Sequence, residues 1–217
     1  MTIANATKKY GEHVVLDDVS LSFEQGLIHG ITGRNGCGKT VLLKAVCGFV
    51  PLSSGSITVD GRRIGKDTDV PKDVGIIIEA PGFLPQYSAL GNLRLLANIR
   101  GKATKEQLAG ALERVGLDPL SRQHVGKFSL GMRQRLGIAQ AIMEDPALLI
   151  LDEPFNGLDV AGVEDMRQLL IELREHGKTI LMASHSREDL ALLCDTVCQM
   201  DQGRIVAKDG GDGAWAS

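Results

Sequence analysis

The chain has 217 residues, enough to bury one α/β core and too few for two such domains of full size. Lys and Arg number 24 against 27 Asp and Glu, a formal charge of -3 with no long basic run, which leaves no electrostatic footprint for nucleic acid or anionic lipid. No apolar run reaches the ~20 residues that span a bilayer, residues 1–7 lack the regions of a secretion signal, and four cysteines without paired metal-type spacing read as reduced thiols, so a cytosolic chain is expected.

In chain order, alternating strand-like pieces at the start, around 14–23, and again at 56–61 are bounded by Gly and predict a small antiparallel layer. Short apolar runs without alternation at 27–32, 74–78, 148–151 and 179–183 predict strands buried on both faces of a parallel sheet. Between 86 and 146 no β-rich run occurs, while Leu90, Leu93, Ala97 and then Leu108, Leu112, Val115 recur at spacings of three and four, so a helical insert is expected there. Within it Ser129 can cap a helix running through Arg135 to Met143 and stopping before Pro146, with Leu136, Ala139 and Met143 on its inner face. The expected architecture is one α/β domain over 1–217, with a Gly-rich tail at 209–217 that frays.

Gly33-Arg34-Asn35-Gly36-Cys37-Gly38-Lys39-Thr40 has the spacing of a phosphate-binding loop, directly after an apolar strand and before a helical run. Backbone N–H groups from Gly33 through Val41 would face the phosphates, Lys39 would reach the β and γ oxygens, and the Thr40 hydroxyl would ligate Mg²⁺. A second apolar strand ends in Asp152-Glu153, where Asp152 can hold Mg²⁺ and Glu153 can act as general base on the attacking water. Two acids that merely end a strand are a poor rival after four consecutive apolar residues, and together the two motifs predict a nucleotide hydrolase. Cys37, beside Lys39 in the loop, reads either as a small tolerated residue or as a reactive thiol, with alkylation expected to inactivate and MgATP to protect.

Between these motifs stands Phe128-Ser129-Leu130-Gly131-Met132-Arg133-Gln134-Arg135, which in order and spacing resembles the signature of ATP-binding-cassette ATPases. Over nearly its full length the chain resembles the ATPase subunit of such a transporter, and a P-loop NTPase (RecA-like) core is implied. The resemblance implies that Tyr10, before Gly11, stacks on adenine, that Asn156-Gly157-Leu158-Asp159 is the D-loop, and that His185 is the switch histidine contacting the γ-phosphate. It further implies a head-to-tail dimer, of identical or different ATPase subunits, in which Ser129 and Gly131 of one chain face ATP held by Lys39 of the other. A separate transmembrane permease, near Phe83 and Leu84, would receive the motion at the cytoplasmic face of the bacterial inner membrane, with no nucleic acid involved.

The pattern departs from the family at several positions. Val41 stands where Thr is common, and Leu130 and Met132 replace a Gly and a Gln of the signature. Glu79, in the Ile-Glu-Ala-Pro-Gly-Phe stretch, stands where most of the family has a Gln that senses Mg²⁺, and is expected to keep that role beside the metal. This wording is similar to bacterial exporters for bacitracin and lantibiotics. Two rivals are a soluble cassette ATPase acting on nucleic acid or the ribosome, and a P-loop kinase. The first would carry a second cassette or a long coiled coil, and the second would leave Ser129 to Arg135 and His185 without a task.

Overall fold

A computed structural model describes residues 1–79, 82–101 and 103–210, with the side chains of 100, 209 and 210 set aside. Residues 80 and 81, next to Glu79, and 211–217 of the expected tail lie outside the described residues.

The apolar runs form β3 (Ile28–Thr32), β6 (Val74–Ile77), β7 (Leu148–Asp152) and β8 (Thr179–Ala183). With β9 (Thr196–Asp201) and β10 (Arg204–Gly210) they make a six-stranded sheet in the order β10-β9-β3-β8-β7-β6. All neighbours in it are parallel except β10 on β9. Consecutive strand residues such as Leu149 and Ile150, or Ile180 and Leu181, enter different hydrophobic clusters on the two faces. That two-sided burial is why these strands read as unbroken apolar runs.

One face packs against α2 (Ala89–Arg100), α3 (Lys105–Arg114), α4 (Leu130–Ile142) and α5 (Val160–Glu175), sharing a cluster that includes Leu93, Leu112, Leu136 and Leu149. The first three are the expected insert between β6 and β7. Ser129 is the N-cap of α4, its Oγ accepting from the Met132 N–H at 3.2 Å, and Leu136, Ala139 and Met143 are buried as expected. The other face packs against α1 (Lys39–Val46) and the antiparallel layer of β1 (Thr2–Tyr10), β2 (His13–Ser22), β4 (Ser54–Val59) and β5 (Arg62–Arg63), in the order β2-β1-β4-β5. This is a P-loop NTPase architecture.

His29 on β3 has no catalytic setting. It is 1% exposed, with Nδ1 2.7 Å from Thr196 Oγ1 and Nε2 2.8 Å from the Glu24 carbonyl oxygen, so both ring nitrogens are satisfied. Burial pushes its pKa below the ordinary 6.5, against the opposing pull of the Glu24 hydrogen bond. The unfolded chain therefore takes up a proton more readily than the folded one. The contribution to stability is full above the unfolded value and is lost as pH falls through the lowered folded value. Urea unfolding between about pH 7.5 and about pH 5 is expected to show this loss in the wild type and less of it in His29→Asn. An equal loss in both would contradict this account.

Candidate active site

The phosphate loop joins β3 to α1, and the backbone at Gly38 makes the junction. Gly38 sits at φ +111° as the N-cap of α1, where an added Cβ would come within 2.8 Å of the Val15 carbonyl oxygen. Only Gly is accommodated at that approach. No side chain caps the helix, so its first-turn N–H groups, those of Lys39, Thr40 and Val41 among them, remain available to an anion. Asn35, Gly36, Gly38, Lys39, Thr40 and Val41 line a cleft of about 560 Å³. Lys39 is nearly buried and its Nζ donates to the carbonyls of Gly33 at 2.7 Å and Arg34 at 3.3 Å, which folds the side chain along the loop.

Of the two readings of Cys37, burial supports the small packed residue over the reactive thiol. Its side chain is 6% exposed and belongs to the cluster with Leu16, Ile31 and Met200, so it packs beneath the loop while its N–H closes the turn onto the Arg34 carbonyl. Alkylation is expected to be slow in the nucleotide-free chain and slower with MgATP, read by peptide mass mapping. Labelling of Cys37 at the rate of a free thiol would contradict the burial. Cys47, Cys194 and Cys198 are packing residues whose thiols burial pushes upward, to about 12 for Cys47 and Cys198.

The facing wall of the cleft comes from the end of β7. Thr40 Oγ1 donates to Asp152 Oδ2 at 2.6 Å, and the Asp152 carboxyl is held above its ordinary pKa first by burial and then by the charge of Glu153, against the Thr40 bond. These two adjacent oxygens are hard donors of the kind Mg²⁺ takes while keeping several waters. Among the described residues no group of three or more His, Cys, Asp and Glu could hold a metal alone. The pair therefore suits a partly hydrated ion that also takes substrate phosphate oxygens.

Glu153 lies in the left-handed region at φ +48°, with its N–H bonded to the Ala183 carbonyl at 2.9 Å. A non-Gly residue there is uncommon, and this one is held by the neighbouring strand β8 and turned into the cleft. Its Oε2 is 2.8 Å from His185 Nδ1, which brings together the two residues expected to be catalytic. Glu79, at φ +60°, also lines the cleft, and its carboxylate is 2.6 Å from Lys44 Nζ.

The signature residues behave differently from one another. Leu130 is 68% exposed, lines this same cleft, and packs on Gly157, where an added Cβ would lie 2.5 Å from Leu130 Cγ. Ser129 and Gly131 do not line it. Gln134 Nε2 donates to the Pro154 carbonyl at 2.8 Å, tying α4 to the segment that carries Glu153. Arg135 donates to the Val115 carbonyl at 2.7 Å and to Asp165 at 2.9 Å, stitching α3, α4 and α5 together. Asp159 caps α5 by accepting from the Gly162 N–H at 2.9 Å. Tyr10 is exposed at the end of β1, with Lys8 Nζ 4.7 Å from its ring centroid, and lies outside the cleft lining, to which Val15 contributes from β2. The sequence left the parts played by Val15 and Lys44 unread, since an isolated Val or Lys carries no pattern.

Known proteins place this geometry. The family model described as ABC transporter matches residues 16–156. The uncharacterized ABC transporter ATP-binding protein YybJ of Bacillus subtilis is 45% identical, covering 94% of this chain and 93% of the relative. The bacitracin transport ATP-binding protein BcrA of Enterococcus faecalis is 40% identical, covering 93% of this chain and 66% of the relative. The lantibiotic transport ATP-binding protein SrtF of Streptococcus pyogenes is 35% identical over 99% and 92%. A solved ATP-binding subunit of an ABC transporter superposes with a TM-score of 0.87 at 26% identity, covering 96% of this chain and 89% of that one. The phosphate loop, the Asp152-Glu153 strand end and these relatives agree: the chain belongs to the ABC transporter family, as an ATP-binding, ATP-hydrolysing subunit.

Proposed function

We propose that this subunit works as a head-to-tail dimer with a second ATPase subunit and powers export through a separate membrane permease, from the cytoplasmic face of the bacterial inner membrane. The observation that carries this reading is the division of the site. Lys39, Thr40, Asp152 and Glu153 converge on one cleft, with His185 on Glu153, while exposed Ser129 lies outside that cleft. An exposed hydroxyl at the N-terminus of α4 that does not line its own cleft suits a neighbour's ATP, with Gly131 letting the backbone come close. Among the described residues no helix is long and apolar enough to cross a membrane. The permease would dock near Phe83 and Leu84, the latter 43% exposed.

In the proposed cycle Tyr10 stacks on adenine, Lys39 and the loop N–H groups from Gly33 to Val41, apart from that of Cys37 which closes the turn onto Arg34, hold the phosphates, and Thr40 with Asp152 would hold Mg²⁺. When bound, the ion would neutralise charge on the β and γ oxygens. Glu153 orients the attacking water and accepts its proton, and His185 fixes the carboxylate through the Nδ1–Oε2 contact. Glu79 communicates the state of the metal site through Lys44 on α1. We read 1–217 as one ATPase domain, with 86–146 as its helical subdomain. The names of the bacitracin and lantibiotic relatives support a peptide antibiotic as the exported compound. Affinity purification from detergent-solubilised membranes is expected to bring down a multi-span permease. Recovery of the chain with no membrane protein would count against the reading.

A further inference from the structure

A second cavity, of about 360 Å³, is lined by Thr32, His185, Arg187 and Gln199, by Gly33 and Arg34 at the start of the phosphate loop, and by apolar residues of β9 and the helix α6 (Arg187–Leu193). It shares no lining residue with the ATP cleft, yet the two are joined by one hydrogen bond, because His185 here bonds Glu153 there. No Asp or Glu lines it. The acids that follow Arg187 are already taken, Glu188 at 3.1 Å and Asp189 at 2.5 Å from the guanidinium of Arg167. Neither Arg34 nor Arg187 has a side-chain hydrogen bond or ion pair among the described residues. Two exposed arginines without an ion-pair partner thus line a small cavity of mixed polar and apolar wall, where an anion would meet no opposing carboxylate.

We propose that this cavity is a binding site for orthophosphate, separate from the phosphate loop's own site. The two guanidinium forks supply paired N–H donors for phosphate oxygens, and Thr32 and Gln199 supply further polar contacts at the wall. His185 sets the choice of anion. In the tautomer that gives its Nδ1 hydrogen to the Glu153 carboxylate, Nε2 would be left as an acceptor, which suits an oxyanion that still carries a P–OH. Orthophosphate near neutral pH has that hydrogen and sulfate does not. Two sources share this chemistry, the phosphate cleaved from ATP and free phosphate from solution. Only the first rests on the ATPase reading.

The test is calorimetric titration of phosphate into the nucleotide-free, full-length chain carrying Lys39→Met, which weakens phosphate capture at the loop. One phosphate is expected to bind, more tightly than sulfate. Adding Arg187→Gln is expected to weaken it about tenfold, the effect of losing a charge-assisted contact. Arg187→Gln alone is expected to keep wild-type MgATP affinity, which shows that its fold is intact. Phosphate affinity unchanged by Arg187→Gln, or no phosphate binding to the Lys39→Met chain, overturns the proposal. A single-turnover arm separates the sources. Phosphate release that lags cleavage in wild type and loses the lag in Arg187→Gln assigns the ligand to the reaction, and release coincident with cleavage assigns it to free phosphate. Failure to hydrolyse ATP at all would sink the ATPase reading and leave the binding result standing.

Discussion

Glu153→Gln is expected to lower ATP turnover by about 10²- to 10⁴-fold, the range that a positioned general base supplies. The substitution keeps the shape of the side chain and an oxygen for His185 Nδ1, now 2.8 Å from Oε2, and removes only the basicity. The phosphate loop lies on the opposite wall of the cleft and is untouched, so MgATP affinity is expected to stay within a few-fold of wild type. Because hydrolysis is the step that reopens the proposed dimer, the variant is expected to accumulate as an ATP-bound dimer in analytical ultracentrifugation. Turnover within tenfold of wild type would remove Glu153 from the role of base. A chain that stays monomeric at saturating MgATP would instead count against the dimer.

Lys39→Met has its largest effect on binding. The nearly buried ammonium is held by the Gly33 and Arg34 carbonyls in the free chain and would exchange these for phosphate oxygens in the complex. Methionine preserves the buried stem and loses a charge-assisted contact of about 1.5–3 kcal/mol, about ten- to 150-fold in affinity. The shift in melting temperature that MgATP gives the wild type is expected to shrink accordingly. Equal nucleotide affinity in the two proteins would mean that Lys39 does not reach the phosphates.

How much of this was legible in the sequence depends on how each residue is used. The central strands announced themselves because each is buried on both faces, so periodicity and length sufficed for β3, β6, β7 and β8. In β1 only Ile3 and Ala6 are buried among nine residues, and β9 interrupts Val197, Cys198 and Met200 with Gln199, so neither carried a pattern strong enough to bound it. Ser129 was readable as a cap because capping is a local bond between residues three apart. Gln134 and Arg135 were recognisable as a pair, but their partners, the Pro154 and Val115 carbonyls and Asp165, lie 20 and 30 residues away. Such long-range bonds leave no trace in spacing. Cys37 stands open between two readings in the sequence for a related reason: its place in the loop does not say which way the thiol points, and the turn that presents the N–H groups rotates it into the core. Glu79 was expected beside the metal, and its bond to Lys44 adds a tie to α1 that the sequence did not suggest.

The central claim is that each ATP site is shared, using Lys39 of one chain and Ser129 of the next, and mixing two inactive variants tests it directly. Lys39→Met disables the phosphate loop. Ser129→Asp preserves the N-cap of α4, since Asp is as good a cap as Ser, and sets a negative charge against the neighbour's γ-phosphate. Each variant alone is expected to be inactive. In a mixed dimer one site carries both lesions and the other carries neither, so an equal mixture is expected to recover up to about one quarter of wild-type turnover by random two-fold pairing. No recovery, with both variants folded and Ser129→Asp still binding MgATP, would contradict a site shared between chains.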